Sequence, residues 1–268
     1  MAAFGGTMIP SSVVLAGSRD GTDPVAVHAG VSDKALIAFG EETMLERVIM
    51  ALRAAGIGHV SVAANSPAVL AEAERHGAMP FPAAAGPSAS TANALEELGA
   101  PLIVTTGDHA LLNSEWIRDF VARVPDGADV AVLLARREAI EVAAPGSRRT
   151  YLRFADGDWS GCNLFLLATP RAIDAVRLWQ AVERDRKQPW RIVRRLGVRL
   201  LLRYLTRRLT LVEAITALGQ RAGVSATVVE CADGLAAVDV DKPSDLNFVR
   251  AFLGRADDGT ARLDDVNA

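Results

Sequence analysis

Short runs of Val, Ile and Leu alternate with segments of helical periodicity along most of this chain, and this alternation constrains the fold more than any other feature. Apolar runs bounded by Gly, Pro or Asp indicate buried strands, and helices between such strands indicate βαβ units around a mainly parallel sheet. The predicted strands are residues 12–16, 59–64, 101–106, 128–135, 163–168, 224–229 and 236–240.

Start and stop residues define the predicted helices between these strands. Thr43 is followed three residues later by Glu46, which predicts a capping box, and Gly56 follows the last apolar position. Ser114 is predicted to cap another helix. The predicted helices are residues 43–55, 67–76, 91–98, 114–124 and 243–253.

Two regions depart from this regular alternation. Residues 136–160 are polar, with glycines and paired arginines, and are predicted to form an irregular insertion over the site. Residues 171–223 are arginine-rich and predicted to be mostly helical. We expect one domain over residues 1–254 and a disordered tail over 255–268, because no linker-like segment divides the chain.

Charge and cysteine content narrow the class of protein. A net charge of -3 over 268 residues gives no global basic field, which disfavours nucleic acid as the main partner. Cys162 and Cys231 lie far apart without metal-ligand spacing, which argues against a disulfide framework and a zinc site and favours a cytoplasmic protein. We expect no signal peptide, and no apolar run approaches the ~20 residues that span a bilayer.

Three separated segments carry the residues of a candidate active site. The first strand leads into a loop with Gly17 and Gly21, and glycines let backbone N–H groups approach phosphates. Lys34 follows this loop, Asp108 follows a predicted central strand, and Asp241 lies in an acidic segment near the end. A loop, a lysine and two carboxylates suit a nucleoside triphosphate with Mg²⁺, although the Gly-Lys-Ser/Thr ending of a P-loop is missing.

The order of these segments is similar to that of a known family. The chain resembles the MobA-like nucleotidyltransferases, which include cytidylyltransferases and guanylyltransferases with a three-layer, Rossmann-like fold of the GT-A type. The resemblance implies that fold, and it covers nearly the whole chain. The segments that carry it are residues 15–19, 34–36, 40–48, 106–112, 160–165 and 240–246.

The resemblance implies a role for each matching residue. Lys34 would contact the phosphates, Asp108 and Asp241 would share Mg²⁺, and Arg19 would be the catalytic arginine. In this chain, however, the first loop is lengthened over residues 25–32, so the position of Arg19 is in question. The implied nucleotide-binding residues are Leu15, Ala16, Gly17, Ser18, Arg19, Lys34, Gly86, Pro87, Ser90, Thr106 and Gly107.

Simpler interpretations stay open for several of these residues. Lys34 could be a solvated surface charge, and Asp108 could cap the following turn. Asp239 and Asp245 compete with Asp241 for the metal; we choose Asp241, with Asp239 as its supporting partner and Asp245 as an early-helix acid. Ser90 could contact nucleotide, cap a helix that starts at Thr91, or do both. His109, next to Asp108, is expected to face solvent. Cys162, next to Asn163, is expected to be packed in the interior rather than to act as a nucleophile.

The residues that would bind the acceptor substrate are less clearly indicated by the sequence. Asn163 lies at the head of a predicted strand, where the family often faces its acceptor, and Arg186 and Lys187 could bind an acceptor phosphate. Residues 194–208 form a basic amphipathic segment. It either packs on the core, which we favour, or lies on an anionic bilayer as a peripheral contact.

The sequence therefore predicts a Mg²⁺-dependent nucleotidyltransferase. We expect it to transfer CMP from CTP to a phosphorylated small molecule with release of pyrophosphate. The alternatives are a molybdopterin guanylyl- or cytidylyltransferase, a GT-A-type glycosyltransferase, and a non-catalytic nucleotide-binding or membrane-adaptor protein. Asp108-His109-Ala110 lacks the second acid that the glycosyltransferase class usually presents.

Overall fold

The architecture is a twisted sheet with helices on both faces. The structure is a computed structural model and describes residues 10–18, 23–147, 149–185 and 197–257. The strands in this part of the chain are Ser11–Leu15 (β1), Ala38–Phe39 (β2), Glu42–Thr43 (β3), Val60–Ala64 (β4), Met79–Pro82 (β5), Leu102–Thr106 (β6), Val130–Arg136 (β7), Leu152–Phe154 (β8), Gly157–Leu167 (β9) and Ala226–Cys231 (β10).

The main sheet has eight strands in the described residues, and its path runs β10-β7-β9-β6-β1-β4-β5, with β8 paired to β9. Neighbouring strands are parallel except at β9, which is antiparallel to β6, to β7 and to the short strand β8. The sheet is thus mainly parallel, as the alternation of strands and helices predicted. β2 and β3 form a separate small hairpin.

Ten helices of the α type connect and follow these strands in the described residues. Thr43 caps α2 and forms the predicted capping box with Glu46. The helices are Pro24–Ala29 (α1), Met44–Ala54 (α2), Pro67–Arg75 (α3), Pro87–Leu98 (α4), Ser114–Arg123 (α5), Arg137–Ala143 (α6), Ala172–Arg184 (α7), Val198–Leu205 (α8), Leu211–Ala222 (α9) and Pro243–Asp257 (α10).

Alternate residues of the strands pack into two apolar layers, one on each face of the sheet. In β1, Val14 packs with α2, α3 and α5 on one face, whereas its neighbour Val13 packs with α4 and α7 on the other. Successive strand residues point to opposite faces, so a strand buried on both sides reads as a continuous apolar run. The result is the predicted three-layer arrangement of helices, sheet and helices.

A third apolar cluster contains α1, α10 and the segment that joins β10 to α10. This segment contains a 3₁₀ helix, Gly234–Ala237, and no strand in the residues described, so the predicted strand over 236–240 is wrong. The lengthened first loop also has regular structure, because it contains α1. Asp23 caps this helix by accepting hydrogen bonds from the N–H groups of Val25 and Ala26.

Other boundaries also differ from the sequence prediction. Residues 136–160 do not form an irregular insertion, because they contain α6, β8 and the start of β9. The helix predicted from Thr91 begins at Pro87, and Asn113 rather than Ser114 caps α5. The last helix continues through Asp257, so the start of the predicted disordered tail is helical. Among the described helices, none is long and apolar enough to span a membrane.

Candidate active site

Two neighbouring parallel strands, β1 and β6, end at the same edge of the sheet and present the predicted nucleotide loops there. Gly107 donates its N–H to the Leu15 carbonyl (2.9 Å) just beyond the ladder. A Cβ on Gly107 would lie only 3.0 Å from the Cβ of Ala16, so a glycine is needed for this close approach. Open α/β sheets bind ligands beyond the carboxyl ends of their strands, where Thr106 and Ser18 also lie.

Lys34 reaches this edge from the first residue of a 3₁₀ helix, Lys34–Leu36. The preceding residue, Asp33, accepts a hydrogen bond from the Ser66 hydroxyl (2.8 Å), which ties the lysine loop to the start of α3. On the other side of Lys34, Ile37 follows the 3₁₀ helix and is fully buried in the third apolar cluster. The loop therefore holds the lysine from both sides.

The Lys34 ammonium joins two carboxylates that are far apart in sequence. Its Nζ lies 2.7 Å from Asp108 Oδ2 and 3.3 Å from Asp241 Oδ1. The Asp108 side chain is 17% exposed and the Asp241 side chain 57%, so one carboxylate forms the floor of the cluster and the other its rim. The structure thus brings together three of the predicted site residues.

Electrostatics keep these groups charged. Burial by itself favours neutral Asp108, but the charge and hydrogen bond of Lys34, with smaller contributions from Thr106 and His109, outweigh it and hold the Asp108 pKa below its usual value. Burial likewise favours the neutral amine of Lys34, yet Asp108, and then Asp241, raise its pKa. The site at neutral pH is therefore an ammonium between two carboxylates, with a net charge of about -1 that suits a cation.

The remaining oxygen of Asp108 makes this cluster fit for a divalent metal. Asp108 Oδ1 is buried and has no hydrogen-bond partner in the part of the chain that the structure describes. Buried acceptors are nearly always satisfied, and hard divalent cations take carboxylate oxygens. Asp108 and Asp241 are accordingly the residues that could hold a metal here.

The two other acids of the late segment are already engaged. Asp239 accepts a hydrogen bond from the Asn163 amide (2.9 Å) and pairs closely with Arg149. Asp245 accepts from the backbone N–H groups of Asp241 (3.1 Å) and Lys242 (3.0 Å). These contacts leave Asp239 and Asp245 less available for a metal than Asp241, and Asp241 as a metal ligand stays a prediction.

The second predicted nucleotide segment, Gly86 to Ser90, lies beside the first loop. A Cβ on Gly17 would lie 3.3 Å from the Ala83 Cβ, which places the approach to α4 next to Gly17. Gly86 and Pro87 begin α4, and Ser90 lies inside that helix, so Ser90 is not the predicted cap. Its hydroxyl instead accepts a hydrogen bond from the Ala84 N–H (2.9 Å) and fixes the preceding turn.

Three residues near the site differ from, or refine, the sequence prediction. His109 does not face solvent: it is 1% exposed, packs on Trp116, and burial lowers its pKa to about 4. Cys162 is buried, as predicted, and burial raises its pKa well above the usual value, so it is no ready nucleophile. Asn163 lies within β9 rather than at its head, and its amide faces Asp239.

Arg19, Arg186 and Lys187 lie outside the described residues. Conversely, sequence reasoning did not identify Arg149, whose side chain is 7% exposed and contacts the late acidic segment. The sequence showed a pair of arginines in a polar region but no spacing that connected them to Asp239, 90 residues later.

A second cluster of metal-binding residue types, Glu46, Glu72 and His76, joins α2 to α3. Its carboxylates have partners within the fold: the Thr43 hydroxyl donates to Glu72 (2.7 Å), Arg75 pairs with Glu72 (2.7 Å), and Glu46 closes the capping box. These contacts explain the cluster as a structural connection between α2 and α3, without a metal ion.

Comparisons with known proteins agree with this geometry. The family model described as "MobA-like NTP transferase domain" matches residues 13–200, more than half of the chain. A solved structure described as a hypothetical transferase from Thermus thermophilus is 31% identical, with a TM-score of 0.77, and the match covers 89% of this chain and 100% of that one. No curated protein matches the chain.

Two more distant structures share the fold. One is a CMP:2-keto-3-deoxy-manno-octonic acid synthetase complexed with CTP, at 17% identity and a TM-score of 0.57, covering 92% of this chain and 99% of that one. The other is a nucleotidyl transferase from Methanothermobacter thermautotrophicus, at 18% identity, with the same TM-score of 0.57 and the same shares of both chains. At these identities the likeness is one of fold.

Proposed function

The chain belongs to the MobA-like NTP transferase family and is a nucleotidyltransferase; from this premise, we propose that it transfers CMP from CTP to a phosphorylated small molecule in a Mg²⁺-dependent reaction. The observation that carries the proposal is the Lys34 ammonium between Asp108 and Asp241, which come from segments 74 and 207 residues away. We assign the activity to one domain over residues 1–254.

The proposed roles follow from charge and burial. Asp108 and Asp241 would hold Mg²⁺, which, when bound, supplies a Lewis acid that polarises the α-phosphate. Lys34 binds the phosphates and balances their negative charge, which is the main requirement of phosphoryl-type transfer. The loops at Gly17 and Gly107 let the backbone approach the nucleotide closely.

The transfer itself needs no general base from the protein. A phosphate oxygen of the acceptor, already ionised near neutral pH, forms the new bond to the α-phosphorus. The bond from that phosphorus to the bridging oxygen of the leaving group breaks, and pyrophosphate departs. His109, beside Asp108, is buried with a pKa of about 4, so it is neutral at this pH and has no acidic proton to donate to the reaction.

The preference for CTP and the contribution of Arg19, Ser90 and the acceptor-side residues Asn163, Arg186 and Lys187 are parts of the same proposal. The similar fold of a synthetase that was solved with CTP supports the choice of cytidine. The position of Gly86 and Pro87 at the start of α4, near Gly17, supports nucleotide contact by this segment.

Pyrophosphate release tests the proposal. The wild-type protein is incubated with Mg²⁺, each of the four ribonucleoside triphosphates in turn, and a panel of phosphorylated acceptors. We expect release with CTP and one class of acceptor. Release with GTP only would overturn the cytidine assignment, and turnover that survives Asp108→Asn unchanged would overturn the proposed site.

A peripheral contact with anionic membrane is the second part of the proposal, placed on residues 194–208, of which 197–208 are described. Val198, Leu202 and Leu205 project from α8 with exposures of 56–65%, beside the exposed Arg199. An apolar face with flanking arginines suits an anionic bilayer surface. Leu200 and Tyr204 pack on the core from the opposite side of the helix, as the sequence interpretation favoured.

Vesicle sedimentation tests this contact. The protein is mixed with vesicles of phosphatidylcholine alone or with phosphatidylglycerol added. We expect sedimentation only with the anionic vesicles, reduced by Leu202→Glu and unaffected by Val142→Glu, an exposed apolar residue on α6. If the wild-type protein does not sediment with anionic vesicles, the proposed membrane contact is wrong, and the transferase assignment is unaffected.

A further inference from the structure

The metal-site residue Asp241 lies in a segment that has no strand to hold it, yet several side chains fix this segment. Val238 and Val240 are fully buried in the third apolar cluster, and Val240 donates its N–H to the Asp108 carbonyl (3.0 Å). The acids Asp239 and Asp241 alternate with these valines. This alternation directs the acidic side chains away from the apolar cluster.

Arg149 connects this segment to the region after α6. Its Nη2 donates to the Asp239 carbonyl (2.8 Å) and lies 3.5 Å from Asp245 Oδ1, while Nη1 pairs closely with Asp239 Oδ1. Ser147 accepts a further hydrogen bond from its Nε (3.1 Å). A buried guanidinium with several donors in fixed directions sets a loop more rigidly than a flexible ammonium does.

Asn163 supports the same carboxylate through its other oxygen. It lies where the pairing between β7 and β9 shifts register, and it adopts a left-handed backbone conformation (φ 47°). Asn enters this region more readily than most residues, and bulges often redirect a side chain beside a site. Here the bulge turns the Asn163 amide onto Asp239 Oδ2 (2.9 Å).

We infer that Arg149 and Asn163 are positioning residues that hold Asp239, and through it the backbone of Asp241, so that Asp241 can bind a divalent metal together with Asp108. The inference rests on the proposed function, and what it adds is the role of Arg149 and Asn163 in holding Asp239, which neither the family match nor the sequence assigned. Arg149 occupies one Asp239 oxygen and Asn163 the other, so Asp239 acts by fixing the segment, while Asp241, which pairs with Lys34, is the carboxylate left for the metal.

Removal of Arg149 has opposite expected effects on metal affinity if the residue acts only through its charge and if it positions Asp241. This difference makes the inference testable. A positive guanidinium near a cation site weakens cation binding by repulsion, so its removal would tighten binding if Arg149 acted only through its charge. If Arg149 positions Asp241, its removal weakens binding. Loss of outer partners of metal ligands costs about 10–100-fold in metal affinity.

The experiment titrates the full-length protein with Mn²⁺, followed by the electron paramagnetic resonance of the free ion. Mn²⁺ suits carboxylate ligands and serves as the probe. We expect Arg149→Ala to weaken binding about 10–100-fold and Arg149→Lys to weaken it less, because a lysine keeps the charge but not the fixed fork. Asn163→Gly keeps the positive φ without strain and removes only the amide, so we expect a loss nearer about 10-fold.

Controls separate positioning from general damage. Arg177→Ala removes an exposed arginine of α7 that pairs with Asp174, and we expect wild-type Mn²⁺ affinity. Thermal unfolding is recorded for every variant. If Arg149→Ala does not fold, Arg149→Lys and Asn163→Gly carry the test. Folded variants that bind Mn²⁺ as tightly as wild type, or more tightly, overturn the inference.

A double-mutant cycle shows whether the two residues act through Asp241. In an Asp241→Asn background, Arg149→Lys should cause little further loss, because the ligand that it positions is already removed. Independent, additive losses would overturn the inference while leaving the proposed function intact. Unchanged Mn²⁺ affinity in both Asp108→Asn and Asp241→Asn would instead overturn the metal assignment in the proposed function, and the inference with it.

Discussion

Asp108 and Asp241 face the same ammonium group but are positioned in different ways. Asp108 follows a buried central strand by two residues, and a backbone hydrogen bond and a tight glycine contact fix its turn. Asp241 follows a 3₁₀ helix and an irregular segment, and its position depends on side chains from residues 149, 163 and 245. One carboxylate is thus placed by backbone contacts at the end of a strand, the other mainly by side chains that hold an irregular segment.

This difference explains why the sequence alone identifies Asp108 as a site residue with less ambiguity than Asp241. A strand followed by Gly107-Asp108 is a local pattern, so the chain itself specifies that Asp108 ends at the sheet edge. The acids near Asp241 have similar local surroundings in the sequence, and only their partners in the folded protein distinguish them. Substitutions in the two regions should therefore have different consequences.

The largest effect is expected from Asp108→Asn. The substitution removes the less exposed carboxylate of the proposed metal site, and loss of one such electrostatic group costs about 10²–10³ in turnover. Pyrophosphate release with the wild-type substrates is the measurement. Asp241→Asn should lose less, since its side chain is more exposed, and Asp119→Asn on the surface of α5 should lose nothing. An Asp241→Asn variant that is more impaired than Asp108→Asn would contradict the proposed ranking.

Gly107→Ala tests the backbone route to Asp108. The added Cβ would lie 3.0 Å from the Ala16 Cβ, and such overpacking costs about 1–3 kcal/mol of unfolding free energy. Urea denaturation measures this cost. Gly58→Ala is the matched control, because nothing lies within 4 Å of a Cβ there. Equal stability of the two variants would show that the contact relaxes without cost.

Asp245→Ala tests the side-chain route to Asp241. Asp245 is the third residue of α10, and its carboxylate reaches back to two N–H groups before the helix, as in a capping box. Loss of a helix cap costs about 1 kcal/mol, and here the freed N–H groups belong to Asp241 and Lys242. We expect a drop of this size in urea denaturation, with weaker Mn²⁺ binding. A drop in stability with wild-type Mn²⁺ affinity would separate the cap from the metal segment.

The smallest expected effect is a dependence of stability on pH. Because the folded-state pKa of Asp108 is lowered, the folded protein binds this proton less readily than the unfolded chain. The stability that it contributes is present above the ordinary pKa of about 4 and is lost as the pH falls through the lowered folded value. The raised Lys34 pKa contributes below about pH 10, and this contribution is lost as the pH rises through the folded value.

Lys34→Met should reverse the acid part of this dependence. Lys34 is the main cause that lowers the Asp108 pKa against burial, so we expect its removal to shift the pKa of Asp108 upward, until protonation of Asp108 favours the folded state. Urea denaturation over a series of acidic pH values compares this variant with wild type and with Arg123→Met, which removes an exposed partner of Asp119. Parallel pH profiles for Lys34→Met and wild type would contradict the pairing.

The sequence by itself determined the parts of this protein that depend on local pattern. Apolar runs and helix caps gave the alternation of the main sheet strands with helices, the capping box at Thr43 and the positions of Gly107 and Asp108 at the end of β6. These features depend on neighbouring residues, whose spacing sets backbone conformation and burial. The family resemblance then supplied the nucleotidyltransferase activity and the role proposed for Lys34.

Only the tertiary structure decided the features that depend on distant residues. His109 is buried because Trp116 packs on it, although its loop looked exposed in the sequence. The bulge at Asn163 arises from pairing with β7, and Arg149 meets Asp239 across 90 residues. Hydrogen bonds and packing between segments far apart in sequence leave no periodic trace in the chain, so the support of Asp241 becomes visible only once the fold has brought those segments together.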